Sequence, residues 1–305
     1  MNANLRRTLI ALAVSGLFAA PMAYAHHHSQ PDSGTSVAAN QQSTKYDKVI
    51  NKSGVKNTST IGSNAGQSAS GNLGVNVASG DNNEQSNVAA IASEAGTNKA
   101  DDVALLGSDQ SSHRNFTLND KTQNHATVSN GDFNSDSGNV GVNVAAGDGN
   151  QQSNALSMAT SSSDSTDLSF AFAGARQSES HDRTINIGAT NNAAIGTAFN
   201  GDSGNIGVNV AAGDNNQQLN ALSASVAPGT AYAMAVAAVD QRSHGNDTVN
   251  SPSYSWCDTV ATTNTASVAA NALSNDSGNI GVNVASGSGN LQANMLSLGV
   301  ANSKP

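Results

Sequence analysis

The chain has 305 residues, of which 11% are charged and 4% are aromatic, and its formal net charge is −9. Its apolar residues are mostly Ala and Val, whereas globular cores draw on Leu, Ile, Phe and Met, so large buried side chains are not its main stabilising device. The acidic balance argues against nucleic acid and anionic membrane surfaces as partners, and the low charged fraction is not that of an ordinary disordered chain.

The N-terminal segment has the pattern of a secretory signal peptide. Arg6 and Arg7 precede an apolar run over residues 8–20, and Ala23-Tyr24-Ala25 provides a small-residue cleavage site. A membrane span needs about 20 apolar residues, so this run is too short to serve as an anchor. We expect residues 1–25 to be removed and the mature protein to be secreted, with no membrane span after cleavage.

The mature chain would begin with three histidines, His26, His27 and His28. A free amine followed by histidine at the third position suits Cu(II) or Ni(II), so these residues are weak candidates for a metal site. The alternative is a solvated tail without a role. We predict a disordered His-rich tail over residues 26–35, a β-repeat domain over residues 36–305, and no cofactor.

One short block occurs four times in the repeat domain. It begins at Ser70, Ser137, Ser203 and Ser277, and every copy contains the core Gly-Val-Asn-Val-Ala. Each copy is followed by a second motif of the form Asn-x-Gln-x-Asn. The blocks are spaced by 66 to 74 residues, and a recurring period of this kind is typical of a repeat architecture.

Apolar and small or polar residues alternate within each block. Val75 and Val77 point to one face of an extended chain and Asn76 to the other, which predicts a β-strand. A single repeat cannot bury its apolar face alone. We therefore expect an all-β repeat protein, a β-solenoid-like stack of about four layers built from 66–74-residue repeats, in which equivalent residues form ladders. The predicted assembly ladders comprise Val75, Asn76, Val77, Val142, Asn143, Val144, Val208, Asn209, Val210, Val282, Asn283 and Val284.

A weaker motif follows each of the first three blocks and ends in a histidine, at His113, His181 and His244. These residues are interpreted as the same position of successive layers, which would stack the imidazoles in a column. Protonation near pH 6 would place like charges close together and loosen the stack, so the column is a candidate pH-sensitive element. The alternative is three exposed turn residues without a role.

The last interval between blocks is the longest. It holds an insertion around residues 251–258, which includes the only cysteine, Cys257. Insertions in repeat proteins go to loops. A single cysteine cannot form an internal disulfide, so Cys257 either pairs with another chain or stays a buried free thiol.

The motifs of common enzymes are missing from the sequence. It has no Gly-x-Ser-x-Gly, no His-Glu-x-x-His and no phosphate-binding loop, so we predict that the protein is not an enzyme. The two ends of a stacked solenoid expose unpaired strands, which template further pairing unless they are capped. End-to-end growth into a fibre is the leading hypothesis, and a monomeric β-solenoid adhesin that binds a surface or a glycan is the alternative.

The repeated block Ser-Gly-Asn-(Leu/Val/Ile)-Gly-Val-Asn-Val-Ala-(Ala/Ser)-Gly, with its trailing Asn-x-Gln-x-Asn, resembles the Fap functional-amyloid family of secreted biofilm fibre proteins. The resemblance extends over essentially the whole mature chain. It implies a fibre subunit, a minor component or a fibre-associated adhesin at the cell surface or in the biofilm matrix. It also implies that the protein passes through outer-membrane export machinery and assembles with itself or with related subunits. The family's major subunits carry a Cys-x-x-Cys pair near the C-terminus, whereas this chain has only Cys257, so the resemblance leaves major and minor subunit open.

Overall fold

The computed structural model describes residues 34–52, 54–62, 64–93, 101–161, 168–228, 232–255 and 258–302. The predicted signal peptide, the three N-terminal histidines and Cys257 lie outside these ranges. The described residues form 22 β-strands. Within those same ranges, no helix is long and apolar enough to cross a membrane.

The strands fall into four successive layers of the chain. The first layer contains β1 (Thr35–Lys45), β2 (Lys48–Asn51), β3 (Lys56–Ile61), β4 (Ser70–Ser79) and β5 (Glu84–Ser93). The second contains β6 (Asp102–His113), β7 (Phe116–Asp120), β8 (Gln123–Val128), β9 (Ser137–Ala146) and β10 (Gln151–Thr160). The third contains β11 (Leu168–Ser180), β12 (Arg183–Ile187), β13 (Thr190–Ile195), β14 (Ser203–Ala212) and β15 (Gln217–Pro228). The fourth contains β16 (Tyr232–His244), β17 (Asp247–Ser251), β18 (Ser253–Ser255), β19 (Asp258–Val260), β20 (Thr263–Val268), β21 (Ser277–Ser286) and β22 (Leu291–Asn302).

Each layer contributes one strand to each of five four-stranded parallel sheets. Their orders are β1-β6-β11-β16, β2-β7-β12-β17, β3-β8-β13-β20, β4-β9-β14-β21 and β5-β10-β15-β22. The layers stack in register, so that Val142 of β9 pairs with Val75 of β4 and with Val208 of β14. The predicted all-β, four-layered β-solenoid is therefore confirmed, and each layer contributes five strands to the stacked sheets.

The insertion of the fourth layer forms the antiparallel pair β18 and β19. Asn186 and Asn250, which are bonded across layers three and four, lie 64 residues apart. Beyond the pair, Asn191 and Asn264 lie 73 residues apart. The extra residues are thus accommodated between β17 and β20, and the in-register stacking resumes after them.

Within a layer, β4 and β5 and their equivalents are joined by a Gly-Asp-x-Asn or Gly-Ser-x-Asn turn. The turn glycine, such as Gly213, has φ 105°, a left-handed conformation that glycine adopts without steric strain. The two strands then face each other through side chains. Gln152 of β10 donates its Nε2 to the backbone oxygen of Val144 in β9 at 3.0 Å. This arch-like packing places the β5 sheet between the β4 sheet and the β1 sheet.

Two apolar cores lie on opposite sides of that central packing. One core contains the valines of the β4 sheet, Ile195 of β13 and the stacked rings of Phe133 and Phe199, whose centroids are 5.0 Å apart. The other core consists almost entirely of alanine between the β1 and β5 sheets, with Leu106 as a larger member. Small side chains suit this arrangement because three sheets pack closely in one layer.

Candidate assembly interface

The asparagines of the repeated block form a continuous hydrogen-bonded ladder. Asn143 donates its Nδ2 to Oδ1 of Asn76 at 2.8 Å, Asn209 donates to Asn143 at 2.9 Å, and Asn283 donates to Asn209 at 2.9 Å. The structure thus brings together the four asparagines that the sequence pattern had aligned. Asn143 and Asn209 are fully buried, so both faces of β9 and β14 are covered and not only the valine face.

The polar face is covered by a second asparagine ladder from the trailing motif, formed by Asn87, Asn154, Asn220 and Asn294. The two ladders are bonded to each other, because Asn154 donates to Oδ1 of Asn143 at 3.0 Å. This contact depends on glycine in the facing strand. A Cβ atom placed on Gly207 would lie 2.6 Å from Oδ1 of Asn154. The block glycine therefore leaves the room that the side chain of the facing asparagine occupies.

The valines of the predicted ladders line the first core. Val142, Val144, Val208 and Val210 of the two inner layers are completely buried, whereas Val75, Val77, Val282 and Val284 of the outer layers are only partly buried. The difference arises from position and not from residue type, because each outer valine lacks a neighbouring layer on one side among the described residues.

Two glutamine ladders were not foreseen from the sequence. Gln42, Gln110, Gln177 and Gln241 are linked through their side-chain amides in one ladder, and Gln85, Gln152, Gln218 and Gln292 in the other. The sequence does contain a signal for these ladders, because a glutamine recurs at a fixed place in the Asn-x-Gln-x-Asn motif and in the weaker motif that ends in histidine. Gln110 and Gln177 are completely buried, and their amides join the β1 sheet to the neighbouring β5 sheet.

Aspartates of the Gly-Asp-x-Asn turn form an acidic column, which is buried in the two inner layers. The backbone N–H of Asp81 donates to Oδ1 of Asp148 at 2.8 Å, and that of Asp148 donates to Oδ1 of Asp214 at 3.2 Å. Burial, and to a smaller extent the nearby Asp214 carboxylate, together raise the pKa of Asp148 to about 7. Burial also raises the pKa of Asp214 to about 6.

A second group of buried carboxylates lies where β11 ends. Burial raises the pKa of Glu84 to about 7, and it raises the pKa of the almost fully buried Glu179 well above its ordinary value. Neither carboxylate oxygen of Glu179 has a hydrogen-bond partner among the described residues. The pKa of Asp182 is raised by burial as well. Because their pKa values are raised by burial, these carboxyl groups stabilise the stack most when they are protonated.

The histidines lie close together, but not at equivalent positions. His113 and His244 both pair with Ser180, so His181 stands one residue later in its layer. The cause is visible in the sequence, because Glu179 and Ser180 place one more residue between Gln177 and its histidine than the other two layers have. The predicted equivalence of His181 is wrong. The rings nevertheless meet edge to face, with centroids 5.8 Å apart for His113 and His181 and 5.7 Å for His181 and His244.

Among the described residues, no group of three His, Cys, Asp or Glu side chains is arranged to hold a metal ion. The weak metal candidates His26, His27 and His28 are outside those residues, and the metal hypothesis for them stays a prediction.

Comparison with known proteins places the similarity on the whole repeat region. A model of the functional amyloid protein FapB/FapC family matches residues 35–182 and, in an overlapping second match, residues 104–301. A stretch of 165 residues is 43% identical to the functional amyloid subunit FapC of Pseudomonas aeruginosa strain PAO1. That match covers 52% of this chain and 46% of the relative, so it spans less than half of the relative's length. No solved structure matches the chain.

Proposed function

The chain belongs to the functional amyloid protein FapB/FapC family, and we propose that it is an extracellular structural protein that builds or joins amyloid-like fibres of the biofilm matrix or cell surface. Its activity is assembly by strand stacking, and it does not act as a catalyst. The partners are further copies of the chain or related fibre subunits. The signal-peptide pattern supports export, and the outer-membrane machinery that the family resemblance implies completes the route.

The observation that carries this proposal is the unequal burial of equivalent residues. Ile206 of the third layer is 1% exposed, whereas Ile280, its partner in the fourth layer, is 37% exposed. At the opposite end, Asn76 is exposed although its partner Asn143 is fully buried. Each outer layer therefore presents to solvent the surface that an inner layer buries.

Within the part of the chain that the structure describes, those outer surfaces are also open parallel sheet edges. A strand edge with unpaired backbone groups accepts another strand unless it is covered. The incoming strand would find the same residue types that the inner layers pair with, because the block Gly-Val-Asn-Val-Ala is present in every layer. Adding a copy would continue the amide ladders and bury the apolar edge residues, which are the interactions that stabilise stacked cross-β structure.

The test is assembly of the purified mature chain, residues 26–305, at micromolar concentration. Growth of thioflavin T fluorescence together with a meridional reflection at about 4.7–4.8 Å is the expected result. A chain that stays monomeric, with β-rich circular dichroism and no fibres, would overturn the proposal. That outcome would favour the monomeric adhesin, and binding to glycans or surfaces would then be measured.

A further inference from the structure

The two end surfaces of the stack differ from each other, and we infer that copies join head to tail, with layer four of one copy on layer one of the next, in the register that brings Asp247 against Lys48. This inference rests on the proposed function, since it specifies the contact through which the fibre grows. It follows from the direction of the amide ladders, from the turn columns and from the charges of the two end layers.

Every amide ladder runs in a single direction along the stack. In the ladder of Asn76, each layer donates Nδ2 to Oδ1 of the layer before it. In the ladder that starts at Asn51, each layer donates to the layer after it, through Asn119 and Asn186 to Asn250. A ladder with one direction ends in a donor at one surface and an acceptor at the other.

Head-to-tail contact joins these complementary ends. Asn76 of one copy would donate Nδ2 to Oδ1 of Asn283 in its neighbour, and Asn250 would donate to Asn51, so both ladders continue unbroken. A two-fold contact between identical ends would place donor against donor in one ladder and acceptor against acceptor in the other. It would also set the strands antiparallel, whereas all five sheets of the stack are parallel. Unpaired buried amides are costly, so the two-fold contact is disfavoured.

A column of turn residues supports the same head-to-tail contact independently. The backbone N–H of Asp47 donates to Oδ1 of Asn115, that of Asn115 to Oδ1 of Asp182, and that of Asp182 to Oδ1 of Asn246. Aspartate and asparagine alternate in this column. Head-to-tail stacking places Asp47 of the next copy beyond Asn246, so the alternation and the donor direction both continue. No two carboxylates become neighbours at this position.

The charges of the end layers are complementary as well. Layer one contains the four lysines Lys45, Lys48, Lys52 and Lys56 against three carboxylates, whereas layer four contains four aspartates and one arginine. Lys48, Phe116, Arg183 and Asp247 occupy one column. Arg183 and Asp247 already form an ion pair of 3.3 Å there. Continuing the column puts the ammonium of Lys48 beside Asp247, on the side opposite to Arg183.

A head-to-tail contact between unlike surfaces does not close on itself. Repeating it without a closing rotation produces an open filament, whereas a two-fold contact stops at a dimer. The exposed Lys48–Asp247 pair contributes to register more than to affinity, because solvent screens it. The ladders therefore stabilise the contact between copies, and the Lys48–Asp247 pair selects its register.

Cysteine cross-linking tests both the direction and the register. Lys48→Cys and Asp247→Cys are combined in a Cys257→Ser background, and the mature chain is assembled and oxidised. Residues paired across adjacent parallel layers lie about 4.8 Å apart, which is within the Cα distance that a disulfide spans. The expected result is a series of covalent multimers on a non-reducing gel that collapses to monomer on reduction.

Three controls make the result specific. Each single-cysteine variant should run as a monomer on the non-reducing gel. A disulfide-linked dimer of either variant would show contact between identical ends and would overturn the inference. Ile50→Cys with Asp247→Cys moves the first cysteine by two residues, to a distance of roughly 8 Å, and should give little cross-linking. Stronger cross-linking of this pair than of the first would overturn the register.

Fibre growth is followed in the same samples by thioflavin T fluorescence and electron microscopy. Fibres without multimeric cross-links in the Lys48→Cys, Asp247→Cys variant would overturn the head-to-tail contact and leave the proposed function intact. If the Cys257→Ser background and the unmodified chain both fail to form fibres, the proposed function fails, and the inference that rests on it is overturned too.

Discussion

Asn209 donates its side-chain amide to Oδ1 of Asn143 over 2.9 Å, although the two residues lie 66 positions apart in the chain. Both side chains are fully buried, and each also bonds to the facing asparagine ladder, at Asn154. Buried amides of this kind stabilise a stack only while every donor and acceptor finds a partner. The relationship explains why a core with few large side chains holds four layers in register.

Replacing Asn209 should therefore be costly. Asn209→Ala removes the donor to Asn143 and the acceptor for Asn283, and we expect a loss of about 1–3 kcal/mol in the free energy of unfolding. Asn205→Ala is the matched control. It belongs to the same strand and to a similar ladder, but its side chain is only half-buried. Denaturant unfolding followed by circular dichroism should show a much smaller loss for Asn205→Ala, and equal losses would contradict the role of burial.

The close approach of the two asparagine ladders makes a second prediction. Gly207→Ala would bring a Cβ to within 2.6 Å of Oδ1 of Asn154, so the facing strand must shift and stability should fall by about 1–3 kcal/mol. Gly107→Ala is the control, because a Cβ there meets nothing within 4 Å. Alanine is preferred to glycine inside a strand, so Gly107→Ala should be neutral or slightly stabilising. A thermal melt of both variants decides, and a loss at Gly107 that matches the one at Gly207 would exclude the steric explanation.

The layered fold could be predicted because identical residues recur at a fixed period. The ladder of Asn76 and the valine columns beside it follow directly from in-register stacking of the block. Columns whose residue type changes from layer to layer left no such signal. Phe133 and Phe199 stack in the two inner layers, while Gly66 and Leu273 occupy the corresponding turns of the outer layers.

The packing of one sheet on another could not be predicted from the sequence pattern either. Alternation predicts which residues share a face, but it does not say what covers that face. Asn143 was assigned to the polar side of its strand, yet the trailing motif folds back and buries it. The carboxylate of Glu179 is buried for the same reason. The one-residue shift of His181 is different, because the extra residue that causes it is visible in the sequence.

The buried carboxylates predict the direction of the pH dependence. Their folded-state pKa values are raised above the unfolded ones, to about 7 for Glu84 and Asp148 and to about 6 for Asp214. Their contribution to stability is fully present below about pH 4 and is lost as the pH rises from there through about 7. The melting temperature should therefore be higher at pH 5 than at pH 8, and a higher value at pH 8 would contradict this account.

Asp214→Asn isolates one of these carboxylates. The amide keeps Oδ1, which accepts from the backbone of Asp148 and from Asn119, and it removes the negative charge beside Asp148. We expect the variant to be more stable than the unmodified chain at pH 8, with a smaller difference between pH 5 and pH 8. The measurement is a thermal melt at both pH values, and an unchanged pH dependence would show that this turn is not responsible.

The histidine contacts act in the opposite direction. His181 lies between His113 and His244, so positive charge on these three rings adds repulsion, which the nearby Asp182 carboxylate offsets in part. Residue 181 has φ 58°, a conformation that asparagine tolerates. His181→Asn should accelerate assembly at pH 5 and leave it unchanged at pH 8. An assembly rate that the substitution changes equally at both pH values would rule out a titrating column.

The central claim, that each subunit supplies four unequal layers to a continuous stack, is tested most directly by the helical rise of the fibre in cryo-electron microscopy. Four layers predict a rise of about 19 Å per subunit, with the stacked rings of Phe133 and Phe199 in two consecutive layers of every four and the β18–β19 pair in one. A rise of about 4.8 Å, with every layer equivalent, would mean that each subunit lies flat in one layer and would contradict the account.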